Sequence, residues 1–117
     1  MTVRGYGRVT PLQMFMLELG GEVVRRGGTV PPTDRDRLGL MKEAHKLLTQ
    51  LTGRDFGYDL AAWHHFLLND DKLSEQYTFD YAWTAVQPRI EGLLDDPDRL
   101  RLVQLVDQHL DADADKR

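Results

Sequence analysis

The stretch LLTQLTGRDFGYDLAAWHHFLL, residues 47–68, holds two helical patterns joined by a short turn. Leu47, Leu48 and Leu51 close the first helix. Gly53 follows, the residue type that takes positive φ just past a helix end without steric cost. Residues 54–58 form the turn. Asp59 is placed to cap the next helix, because its carboxylate can accept backbone N–H groups that a first turn leaves unpaired. Tyr58 then precedes the cap and Trp63 is the fourth helical residue, the spacing of a hydrophobic staple. Trp63, Phe66 and Leu67 recur at i, i+3 and i+4 on one apolar face, and Phe56 is placed to plug the corner between the helices.

Upstream, Thr33 or Asp34 opens the first of these two helices after a linker over residues 29–32. Its apolar residues fall on two adjacent lines: Leu38, Met41, His45 and Leu48 beside Leu40, Ala44, Leu47 and Leu51. Such a wide stripe suits a helix packed between neighbours. Earlier still, Thr10-Pro11 is a cap followed by proline at the first helical position, where a missing N–H costs nothing. Leu12, Phe15, Met16, Leu19 and Val23 continue it as an amphipathic helix ending at Gly27-Gly28. Gly20-Gly21 interrupts that helix at roughly 1 kcal/mol per glycine relative to alanine. The pair either admits a neighbouring helix or breaks this one. A hairpin over residues 23–30 is the alternative. Residues 1–9 read as a flexible arm, since a short strand there has no evident partner.

Downstream, Asn69, Asp70, Asp71 and Lys72 form a polar break before residues 73–94. There Tyr77, Phe79, Tyr81, Trp83 and Ala85 alternate as in a strand, while Phe79, Ala82, Trp83, Val86 and Ile90 fit a helical face. Helix is the preferred reading, because a lone strand leaves its backbone groups unpaired. Pro88 is expected to kink this helix or start a new one. Asp96-Pro97 repeats the cap and proline. Leu100, Leu102, Val103, Leu105, Val106 and Leu110 then give the last helix a broad apolar face. Residues 111–117 are charged and read as a frayed tail.

A chain of 117 residues suits one domain, residues 1–117, around one core. The absence of cysteine excludes disulfides, thiol catalysis and cysteine-ligated zinc. No apolar run has the length of a membrane span or the form of a signal peptide, so a cytoplasmic protein is expected. The net charge of −4 is uneven. Residues 1–58 carry 9 Lys/Arg against 6 Asp/Glu, and residues 59–117 carry 6 against 13, giving +3 and −7. An acidic C-terminal half disfavours nucleic acid and suits a basic protein partner.

Candidate chemistry is sparse. His64-His65 invites a metal reading, but zinc needs about three or four converging ligands and adjacent helical residues point about 100° apart. The position four residues after His64 is Leu68 and that after His65 is Asn69, so no HExxH pattern exists. His45 and His109 have no better case. Asp95, Asp96 and Asp98 lack the central glycine and terminal glutamate of a calcium loop. No nucleophile elbow, phosphate loop or dinucleotide fingerprint occurs. Tyr77, Phe79, Tyr81, Trp83 and Trp63 could line a ligand pocket, although core packing explains them. Arg4, Arg8, Arg25 and Arg26 could touch phosphate, without the interleaved aromatics of a nucleic-acid surface.

Leu51, Thr52, Gly53, Asp55, Phe56, Gly57, Asp59 and Trp63 together resemble the closing helical unit of bacterial HEAT-repeat proteins. There a helix ends in Leu-Thr-Gly, a Phe-Gly turn follows, and an aspartate caps a helix bearing tryptophan. The resemblance covers residues 41–68; where the family often has a second tryptophan, this chain has Phe66. HEAT repeats are binding scaffolds, so the resemblance implies an interaction role.

The expectation is an all-α domain of about five helices, packed as a small bundle or as HEAT-like helical pairs. Its expected function is non-enzymatic: binding another protein, as an adaptor or an immunity- or antitoxin-like protein, with no cofactor and no metal. Asp70, Asp71, Glu75, Asp80, Glu91 and Asp95 are the candidate partner-binding residues. Phe56, Tyr58, Asp59, Trp63, Phe66 and Trp83 are the expected structural anchors. The alternatives are a small-molecule sensor or enzyme with an aromatic-lined pocket, and a nucleic-acid-binding module using the N-terminal arginines. Homo-oligomerisation is left open.

Overall fold

The computed structural model describes residues 2–3, 7–23, 33–79 and 81–115. Two short strands, β1 (Thr2–Val3) and β2 (Gly7–Arg8), pair antiparallel with each other where the sequence offers no other partner. Six helices follow among the described residues: α1 (Pro11–Leu19), α2 (Asp34–Thr52), α3 (Leu60–Asn69), α4 (Leu73–Tyr77), α5 (Ala82–Leu94) and α6 (Pro97–Asp115). The fold is all-α. α6 remains helical through Asp115, beyond the point where the sequence reading starts a frayed tail.

α1 packs against α2, α3, α4 and α5. Thr10 starts it with a reciprocal capping box: its hydroxyl accepts from the Gln13 N–H, and the Gln13 side-chain oxygen accepts from the Thr10 N–H at 2.9 Å. The helix is not the long amphipathic element expected from the sequence. Leu12, Met14, Met16, Leu17 and Leu19 are all buried, and so are Gln13 and Glu18, leaving Pro11 exposed and Phe15 half-buried. It also ends early, at Gly20. Gly21 takes φ +93°, and Glu22 N–H reaches back to the Leu17 carbonyl at 3.0 Å, a left-handed stop of Schellman type. Both roles considered for the glycine pair are realised. Gly21 breaks the helix, while a Cβ at Gly20 would stand 2.7 Å from Leu93 Cδ1 of α5. Residues 24–32 lie outside the described residues, and with them most of the alternative hairpin.

The corner between α2 and α3 follows its local signals. Thr33 and Asp36 form the capping box that opens α2. Gly53 closes it with φ +70°. Asp59 Oδ1 accepts from the Ala62 N–H at 3.1 Å and caps α3. Trp63 is fully buried, and its indole N–H donates to the Gly57 carbonyl at 2.9 Å. The ring set edge-on to Trp63, at 4.9 Å between centroids, is Phe56, which also lies 5.4 Å from Phe66. Tyr58, expected as the staple partner, packs against the main core and also lies 4.9 Å from the His45 ring on α2. Trp63 joins Leu12, Leu17, Leu48, Leu60, Tyr77, Val86 and Ile90 in the main core.

Residues 73–94 form two helices, separated at residues 78–81, and α5 continues through Pro88. A second, smaller core joins α2 to α6 through Leu38, Met41, Leu102 and Val106. Charged groups border it. Arg101 grips both oxygens of Asp34, at 2.8 and 3.1 Å, and also bonds Asp98 at 2.7 Å. Arg37 reaches the other Asp98 oxygen at 2.8 Å and the Gly21 carbonyl at 2.8 Å, tying the end of α1 into the same network.

Candidate interaction surface

The candidate acids fall into separate places. Asp70 and Asp71 form the turn between α3 and α4, and Glu75 lies in α4. Asp70 is partly spent on structure, because its Oδ1 accepts from the backbone N–H groups of Lys72 and Leu73 at 3.0 and 2.9 Å. Asp71 and Glu75 are exposed and form no ion pair among the described residues. Glu91 and Asp95 are exposed at the C-terminal end of α5. Asp80 lies outside the described residues. The structure therefore groups Asp70, Asp71 and Glu75 by their position along one turn and helix, with Glu91 and Asp95 on another element.

The five aromatic rings do not face one space. Trp63 and Tyr77 are core, Trp83 is half-buried, and Phe79 and Tyr81 are 59% and 87% exposed. A residue the sequence reading missed explains how Phe79 is held. The fully buried carboxamide of Gln13 donates to the carbonyls of Tyr77 at 3.0 Å and Phe79 at 2.9 Å. The linker backbone is thus fixed from inside while the Phe79 ring faces water.

His64 and His45 are held in structural hydrogen bonds. His64 is buried, its Nδ1 sits 2.7 Å from the Tyr77 hydroxyl, and the Trp83 ring stacks on it at 6.4 Å. Burial lowers the His64 pKa and pushes that of the Tyr77 phenol up, so both stay neutral at pH 7. The pair is a neutral hydrogen bond inside the core. His65 is exposed. His45 Nε2 lies 2.7 Å from Asp55 Oδ1, which also accepts from the Gly57 N–H at 2.8 Å, so this pair fastens the turn to α2. Among the described residues no group of three or more His, Cys, Asp or Glu is placed to hold a metal ion.

Several arginines are occupied. Arg89 bonds the Glu22 carboxylate, and Arg37 and Arg101 belong to the α2–α6 network. Arg99, largely buried, donates to the Leu93 and Leu94 carbonyls at 2.5 and 2.9 Å, and so caps the C-terminal end of α5. Arg4, Arg25 and Arg26 lie outside the described residues, as does the side chain of Arg8. No described helix is long and apolar enough to cross a membrane.

One open trough of about 420 Å³ lies against α1, lined by Pro11 and Phe15 of α1, Leu47, Gln50 and Leu51 of α2, and Gln76 of α4. Leu51 is 49% exposed there. The sequence pattern assigned Leu47 and Leu51 to a buried stripe and gave no sign that they would stay open. Comparison of the chain with protein-family models, curated proteins and solved structures finds no match.

Proposed function

We propose that this chain is a non-enzymatic protein-binding domain, an adaptor or an immunity- or antitoxin-like protein, that holds its partner through a helical and partly acidic surface. The observation that carries this reading is the open apolar trough where α1, α2 and α4 meet, at the C-terminal end of α2. An apolar concavity of this volume between helices can seat an apolar side chain of another molecule. The resemblance of residues 41–68 to the closing unit of bacterial HEAT-repeat proteins supports a scaffold role, and with it a bacterial, cytoplasmic setting. Asp71 and Glu75, exposed and in no ion pair among the described residues, favour a partner with basic groups. A ligand pocket built from the aromatic group has less support, since Trp63 and Tyr77 are committed to the core.

The test is capture of the tagged full-length chain from its host, followed by association kinetics with the captured protein. The expected result is a stoichiometric protein partner. Asp71→Lys with Glu75→Lys should slow its association several-fold at low salt and leave the melting temperature unchanged. Failure to retain any protein, together with strong thermal stabilisation by a small molecule, would sink this reading in favour of a sensor or enzyme.

A further inference from the structure

We propose that His64 is an acid-operated latch: its neutral imidazole holds α4 against α3, and protonation shifts α4 toward release. α4 is five residues long, and Tyr77 is its one buried side chain. Leu73 packs on the core only partly buried. The Tyr77 ring therefore docks this helix. It lies 4.8 Å from the Trp83 ring of α5, and its hydroxyl meets His64 Nδ1 at 2.7 Å. His64 in turn stands between α4 and α5, edge-on to Tyr77 at 5.7 Å and stacked on Trp83 at 6.4 Å. When Tyr77 leaves the core, water reaches the imidazole.

The site fits a neutral imidazole and not a cation. His64 forms no ion pair among the described residues, and its one hydrogen-bond partner is a phenol. That phenol can accept from Nδ1–H but brings no counter-charge, since burial holds its pKa above the ordinary value. The surrounding charges do not supply one at bonding distance. Glu91 of α5 favours the imidazolium from an exposed position, and the neighbouring His65 opposes it. Glu75 of α4 is exposed, Glu18 of α1 is buried, and neither bonds His64. Burial prevails over Glu91 and keeps the imidazole pKa below its ordinary value. The sign follows from linkage. With α4 docked the pKa is depressed; with α4 released it returns to about 6.5. Docking is thus fully supported above about pH 6.5 and loses support as the pH falls toward the depressed value. The backbone bonds from Thr10 to the Gln76 carbonyl and from Gln13 to the Tyr77 carbonyl carry no titrating group, so His64 is where pH enters. The latch belongs to the fold and does not depend on what the trough binds. Gln76 of α4 forms one trough wall, so release also removes that wall.

The test is amide exchange of the full-length protein by NMR from about pH 7 to about pH 5, read as protection relative to the unfolded chain, with the histidine ring signals followed in parallel. Protection of residues 73–79 should fall by up to about tenfold per pH unit below about pH 6.5, the slope for one linked proton. Residues 54–58, where His45 faces the Asp55 carboxylate, are the internal reference and should keep their protection. The His64 signals should titrate with a midpoint below the ordinary value, and the Tyr77 ring signals should move with them. His64→Asn puts a non-titrating amide near the Nδ1 position and should make protection of 73–79 independent of pH. His65→Gln, at an exposed position, should respond as the parent chain does. The proposal is overturned by a His64 midpoint at the ordinary value, by protection of 73–79 that does not follow His64, by an unchanged fall in His64→Asn, or by its loss in His65→Gln. If His64→Asn does not fold, the parent titration and His65→Gln decide the matter.

Discussion

At its N-terminal end α2 is covered by α6, which packs Leu102 and Val106 over Leu38 and Met41 and closes the edge with the Asp34, Arg37, Asp98 and Arg101 network. At its C-terminal end, Leu47 and Leu51 line an open trough with Phe15 and Pro11. The same helix thus carries one apolar surface that is covered and one that is not. The covered end shows what this fold does when it seals α2: apolar side chains from two elements meet, and oppositely charged side chains ring them. The open end has the apolar part, without a covering element among the described residues. The proposed partner-binding role rests on that contrast.

Substitutions should separate the two ends by magnitude. The largest loss belongs to Trp63→Ala, which empties the main core beneath the corner where α2 turns into α3. It should cost about 3–5 kcal/mol in urea unfolding, the range for large aromatic truncations in cores. At the covered end, Met41→Ala should cost about 2–5 kcal/mol, because Met41 is fully buried. At the open end, Leu51→Ala should stay within about 0.5 kcal/mol, as for exposed positions. A loss at Leu51 as large as that at Met41 would erase the distinction between the ends.

Acid should act on the covered end in a defined direction. The hydrogen bond from Arg101 holds the Asp34 carboxyl below its ordinary range, and bonds from Arg101 and Arg37 do the same for Asp98. A carboxylate whose pKa is depressed by folding contributes stability above its unfolded value, about 4, and loses it as the pH falls further toward the folded value. Thermal melts should therefore show the network's contribution at neutral pH and its loss below about pH 4. These are exposed charges, so the effect should be modest and should shrink in high salt. Asp55, lowered first by its hydrogen bond to His45 and then by the Gly57 N–H, contributes with the same sign at the corner. Asp34→Asn with Asp98→Asn should flatten most of the acid limb and leave the Asp55 part. An acid limb unchanged in that variant would show that the network does not hold α6 in place.

The corner was legible because its signals are local. Gly53 supplies the positive φ, and Asp59 binds an N–H three residues away. What the sequence hid was bonding across distance. Gln13 meets Tyr77 and Phe79, 64 and 66 residues on, and Arg101 meets Asp34, 67 residues back. Neither pairing has a sequence spacing that could announce it. The end of α1 was misplaced because apolar periodicity continues through Val23, whereas the backbone stops at the left-handed Gly21. The aromatic alternation at 77–83 misled for a related reason: Tyr77 points into the core while Phe79 and Tyr81 face water from a linker, so one pattern spans two helices and the break between them. Of the candidate site, the acids were visible from charge alone. The trough was not, because an apolar stripe reads the same whether or not a neighbour covers it.

The most direct test is backbone hydrogen exchange of the full-length protein with and without its captured partner. Binding is predicted to slow exchange in residues 11–15, 47–51 and 73–79 and to leave residues 34–41 and 98–106 unchanged. Protection confined to the α2–α6 end, or spread evenly over the chain, would contradict the assignment of the open end of α2 as the binding surface.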